Sequence, residues 1–247
     1  MSADRWTQAV RHQLGLGRLV PLGGPQDGCW LAESAARSAL GQAVQSVPGV
    51  RLGKLRIELA DPDGPYESAV SAPPSALPPG PLRIVAECAA APDEPLPTAA
   101  SRLRAALNGA ASAGLGLAVA EVDLRVTALL DESAQAQPAS VDARADVADS
   151  RPARADSDEE RAGQAALSVP GVTRLTGSLG GVGRAVHIGE RPEDAAPAAA
   201  LPRRHVRIEL AVSGGRRVLD VARDVRTAVT GALADHPSVA VLVTAVH

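Results

Sequence analysis

The sequence predicts an α+β protein: two tandem small two-layer modules, each a small sheet with two helices on one face, in the order helix–strand–strand–helix–strand. Two observations carry that expectation. Residues 163–172 read GQAALSVPGV and residues 41–50 read GQAVQSVPGV, eight identical positions at an offset of 122. Self-similarity at a fixed offset marks a duplicated unit. After each decamer the hydrophobic period also runs through the same changes, from two to helical and back to two.

The elements follow in chain order. Residues 1–28 form an N-terminal helical extension, with Trp6, Val10 and Leu14 at helical spacing. The first module is expected over 29–131 and opens with a helix over 31–46. V-P-G-V ends that helix, since proline disfavours helical geometry in the residue before it and glycine permits the turn into a strand. In 51–59, Leu55, Ile57 and Leu59 alternate with Lys54, Arg56 and Glu58. In 82–88, Leu82, Ile84, Ala86 and Cys88 alternate with Arg83 and Glu87. A period of two with one polar face is a half-buried strand. Leu96, Ala99, Leu103, Ala106, Leu107 and Ala110 then stripe a helix, and 117–129 closes the module as a strand with Glu121, Asp123 and Arg125 on its wet side.

Residues 132–157 mix Ala, Asp, Ser, Pro and Arg without apolar periodicity, the composition of a disordered linker. The second module, 158–247, repeats the order: a helix to 168, V-P-G-V, two strand-like pieces around a Gly-rich turn, and a strand over 205–213. In the next helix Val218, Val221, Ala222, Val225, Val229 and Leu233 form the apolar stripe, and Arg216, Asp220, Arg223, Asp224 and Arg226 the wet side. The closing strand is 239–246. At offset 122 Leu103 meets Val225 and Leu107 meets Val229. The Pro-rich stretch 61–81 has no counterpart and reads as a long exposed loop.

Composition narrows the function classes. Aromatics are 1% of the chain and Phe is absent, so the core is aliphatic; a single Lys among 25 basic residues is the usage of a GC-rich genome. A net charge of −3 gives no general attraction to nucleic acid or anionic membrane. The two cysteines, Cys29 and Cys88, build no disulfide framework, which points to a reducing, cytoplasmic setting. No apolar run reaches the roughly 18–20 residues of a membrane span, and the N-terminus lacks a secretory core.

The candidate motifs reduce to structure. TGSLGGVGR (176–184) is glycine-dense, but a phosphate loop opens a helix and this stretch leads into a strand. None of His12, His187, His205, His236 and His247 stands at metal-ligand spacing from another His or Cys. Glu159 and Glu160 suit a helix start, where the macrodipole favours negative charge. Arg216 and Arg217 read as partners of Asp220 one turn on, with an anion contact as the rival reading. No catalytic, cofactor or metal residue is assigned.

The helix, S-V-P-G-V (168–172), Gly-rich turn, strand HVRIELAVSGG (205–215), helix VLDVARDVRTAVTGAL (218–233) and strand VAVLVTAV (239–246) together resemble the alkaline shock protein family of Gram-positive envelope stress proteins. The first half matches through the internal repeat alone. The resemblance implies a non-enzymatic cytoplasmic scaffold or assembly protein in envelope stress or homeostasis of a high-GC Gram-positive bacterium. It further implies that a small membrane-anchor protein could hold the chain at the membrane.

The expected partner surface is the sheet face of the second module, with Val239, Val241 and Val243 beside Arg207 and Glu209, because an apolar face in such a sheet meets something. It would dock another copy or an anchor protein. Burial by the first module or the N-terminal helix is the competing expectation. The alternative function is a sensor that binds a small molecule between the two repeats.

Overall fold

A computed structural model describes residues 16–130, 157–177, 184–190 and 204–247. The helix expected before residue 16, residues 132–156 of the linker expected over 132–157, and the middle of the Gly-rich stretch lie outside the described residues. Ser157, at the linker's end, is the N-cap of a helix and accepts from the Glu160 N–H at 3.2 Å.

The fold is mixed α and β. Strands are β1 (Leu19–Leu22), β2 (Cys29–Ala32), β3 (Val50–Leu59), β4 (Leu82–Ala90), β5 (Val119–Leu129), β6 (Val172–Leu175), β7 (Val186–Glu190), β8 (Arg204–Val212) and β9 (Ser238–Val246). Helices are α1 (Glu33–Val44), α2 (Leu96–Gly109), α3 (Asp158–Leu167) and α4 (Val218–Ala232), with a π-helical stretch, Ala110–Leu115, prolonging α2. One sheet has the order β3-β4-β5; the other runs β1-β2-β9-β8-β6, with β7 also on β8. A single hydrophobic core passes through both halves.

The repeat extends to hydrogen bonds and register. Val50 pairs with Ala90 and Val172 with Val212, each pair at the same offset of 122. Ala91 N–H donates to Gly49 O and Ser213 N–H to Gly171 O, both at 2.8 Å. Gly49 and Gly171 have φ of +70° and +102°, values that only glycine adopts freely, so the motif keeps glycine there. Helix α2 starts at Leu96 and α4 at Val218, again 122 apart. Both β4/β5 and β8/β9 are parallel and slip register at the same point, after Cys88 and after Leu210.

An ion pair recurs with its charges exchanged. Arg102 pairs with Glu94 in the first half, and Arg216 with Asp224 in the second at 2.9 Å; position 94 matches 216 and position 102 matches 224. In each half the arginine also donates to the proline carbonyl of V-P-G-V, Arg102 to Pro48 at 3.2 Å and Arg216 to Pro170 at 2.6 Å.

Three expectations need correction. The two strand-like pieces expected around a turn at TGSLGGVGR do not pair with each other. Both β6 and β7 run antiparallel to β8, end to end along one edge. The first half breaks β3 at the equivalent place, between Leu52 and Leu55. The described ends of the glycine-rich stretch bond to one residue: Thr176 N–H donates to Glu209 O, and Glu209 N–H to Ala185 O.

The second correction concerns 19–32. These residues were expected in the extension and the first helix, yet they form β1 and β2 in the sheet of the second half. LVPL and CWLA are buried at every position, which suits strands covered on both faces. Pro21 fits because β1 ends the sheet path, and an edge strand can spare an N–H. Third, the Pro-rich loop is strapped down. Leu19 donates to Ser75 O at 3.2 Å and accepts from Leu77 N–H at 2.8 Å, and Val70 is buried against Gly28.

Candidate functional site

Sheet edges decide where this molecule can meet another, because an edge strand presents unpaired backbone groups. Along β1 the Leu19 groups are taken by the Pro-rich loop. At β3 a buried carboxylate and an arginine stand in for a strand. Ile57 N–H donates to Glu33 Oε1 at 3.3 Å, and Ile57 O accepts from Arg18 Nη2 at 2.6 Å. Arg18 and Glu33 lie 3.5 Å apart.

Of the residues expected to form a partner surface, Val239, Val241, Val243 and Glu209 are interior and Arg207 is half-buried. Val239 is 1% exposed, Val241 and Val243 are 0%, and Glu209 is fully buried; Arg207 lies beside it, 3.9 Å away. Strand β2 docks parallel on the outer edge of β9, matching Cys29 to Val241, Trp30 to Leu242 and Leu31 to Val243. Helix α4 packs on β9, and α1 packs on both β9 and β3. The first half covers this face, so it is not a free docking surface.

Two arginines expected to face water fasten that cover. Arg223 grips the Asp27 carboxylate with Nε at 2.7 Å and Nη2 at 3.0 Å. Arg226 donates to the carbonyls of Gln26 and Asp27. Burial works against the Asp27 charge, but the Arg223 guanidinium and the Gly24 N–H outweigh it and hold the carboxyl below its usual value. Cys29 follows in β2; burial, with Asp27 beside it, pushes its thiol up to about 12, so it is inert at neutral pH.

The β5 edge differs. Register makes Val122, Leu124 and Val126 the counterparts of Val239, Val241 and Val243: Ile84, Ala86 and Cys88 pair with the first set as Val206, Ile208 and Leu210 pair with the second. Nothing among the described strands pairs with the far side of β5. Val122 and Leu124 are half-buried, Val126 is 39% exposed and Leu129 60%. Leu96, 41% exposed, joins Val126 at a shallow apolar crevice over Cys88 and Ala99. Glu121, Asp123 and Arg125 lie on the wet side as expected, but the alternation carried no sign that β5 has no neighbouring strand on its far side among the described residues.

A second concavity lies where the halves meet. Ala69 and Val70 of the Pro-rich loop, Arg226 and Thr230 of α4, and His236, Ser238 and Val239 line a cleft of about 320 Å³. His236 Nδ1 is 3.1 Å from Thr230 O. Among the described residues no group of His, Cys, Asp and Glu could hold a metal ion, and no helix is long and apolar enough to cross a membrane. No family model matches the chain, nor does any curated protein or solved structure.

Proposed function

We propose that this chain is a non-enzymatic assembly protein made of two tandem α+β modules, one of which closes its sheet edge internally while the other offers it to a partner. The observation that carries the reading is the open edge of β5 with its half-exposed row Val122, Leu124 and Val126. The shared register and hydrogen bonds at offset 122 support the two-module description. A role in envelope stress or homeostasis, cytoplasmic and peripheral to the membrane through an anchor protein, rests on the resemblance of 158–247 to the alkaline shock protein family.

A photo-crosslinking residue at Leu129 in cells tests the assembly reading, with exposed Ala234 as the control position. Discrete adducts at 129, absent at 234 and lost with Val126→Lys, are expected. The same adducts at both positions, or none at 129, overturn it.

The cleft between the halves favours a second reading, a sensor for a small molecule, since about 320 Å³ is within the range of ligand sites. Native mass spectrometry of the purified full chain should then show a bound small molecule that Arg226→Ala releases. An unliganded mass from cells removes this reading.

A further inference from the structure

Strands alternate the side to which their backbone groups point, so only every second residue of β5 turns its N–H and C=O to the open edge. Arg104 Nε donates to the Val122 carbonyl at 3.3 Å, which identifies the outward set as Val122, Leu124 and Val126. These residues also carry the half-exposed apolar side chains. Their neighbours Glu121, Asp123 and Arg125 bond inward to β4 and present charge on the opposite face.

This arrangement is self-complementary. Laid antiparallel against itself about Leu124, β5 sets Leu124 opposite Leu124 of a second copy and Val122 opposite Val126. All three pairs are hydrogen-bonded ones, because their groups point outward, on the order of six ladder bonds, two of which replace the Arg104 contact to the Val122 carbonyl in each copy. In between, Asp123 falls opposite Arg125 twice, in the closer non-hydrogen-bonded positions where opposite charges stabilise. Arg125 is exposed and has no ion pair among the described residues, whereas Asp123 and Glu121 both neighbour Arg83. Moving the two-fold axis by one residue, to Asp123 or to Arg125, still sets apolar side chains opposite one another but brings like charges directly together at the axis, which the Leu124 register avoids.

We propose that the occupant of the β5 edge is a second copy of this chain, joined strand to strand about a two-fold axis at Leu124, so that two three-stranded sheets become one of six. The proposal rests on the assembly reading above and narrows its partner. An isologous contact of this kind closes after two copies, which limits the edge-to-edge growth that an open strand otherwise invites.

The full-length chain should be a dimer by light scattering across a concentration series. Arg125→Asp replaces two attractions by two repulsions and should weaken dimerisation about 10- to 30-fold without changing the melting profile of the monomer. Register is read by cysteines. Asp123→Cys mixed with Arg125→Cys should form an intermolecular disulfide on oxidation, since opposed residues there stand about 4.5 Å apart between Cα atoms. Neither variant should cross-link with itself, and the native Cys29 and Cys88 are buried. A monomeric wild type, a dimer indifferent to Arg125→Asp, or self-cross-linking of either single variant overturns the proposal. If the wild type is monomeric while Leu129 still captures another protein in cells, the second copy is wrong and the assembly reading stands. If Leu129 captures nothing, both fall.

Discussion

Strands β5 and β9 close their halves in the same way, parallel to β4 and β8 with the slip at the same step. They differ in what lies beyond them. Beyond β9 come β2 and β1, and its apolar row is sealed. Beyond β5 the described structure has no strand, and the row Val122, Leu124 and Val126 is left half-open. The lesson is that an apolar row on a closing strand does not reveal a docking surface by itself. The more apolar of the two strands, β9, is apolar because this chain already covers it. The more polar β5, with Glu121, Asp123 and Arg125, keeps the charges a wet edge needs.

The largest expected effect would break that comparison directly. Val243→Arg puts an unpaired charge in the interior and should cost several kcal/mol, enough to unfold the chain. The equivalent Val126→Arg, at the edge, should shift stability by about 0.5 kcal/mol or less. Urea unfolding of both variants checks this, and equal midpoints would mean that the two edges are alike.

Next is the side-chain clamp on β3. Glu33→Ala leaves the Ile57 N–H buried without its acceptor and should cost about 1–3 kcal/mol. Amide exchange at Ile57 should accelerate ahead of the core, whereas unchanged protection would show that the clamp does not hold this edge.

A smaller effect concerns the fastening of β2. Because the Asp27 carboxyl is held below its ordinary value of 3.8, its stabilisation is fully present above that pH and is lost as pH falls through the lower, folded value. Asp27→Asn should therefore be less stable than wild type at neutral pH, with the difference shrinking in acid. Parallel stability curves at all pH values would remove Asp27 from the account.

The smallest concerns the exchanged ion pairs. Glu94→Arg with Arg102→Asp gives the first half the charge order of the second. The pair is largely exposed, so the double change should move stability within about 1 kcal/mol, while either single change should cost more than the double. Additive single changes would show that the pairs do not matter to the V-P-G-V turns.

Much of the fold was legible in the residues. The decamer located α1, α3 and both glycine turns, and alternation located β3, β4, β5, β8 and β9 within a residue or two. The hairpin of β1 and β2 had a signal too: two apolar tetrads, LVPL and CWLA, around GGPQDG, a turn rich in glycine with an Asp to bond its own backbone. It was obscured because CWLA runs straight into a helix, and a short apolar run does not distinguish a buried strand from a buried helix turn.

What the sequence determined by itself is local: periodicity selects helix or strand, and V-P-G-V with glycine at positive φ ends each helix in the same turn. Only the tertiary structure decided which strand gained a neighbour. The choice depends on residues 29–32 meeting 241–243 across more than 200 positions of chain, held by Arg223 and Arg226 on the 23–28 turn. Hydrophobic burial is not directional, so an apolar row records that it will be covered but not by what. Backbone pairing and the charges beside it supply the address, and those exist only once the chain has folded.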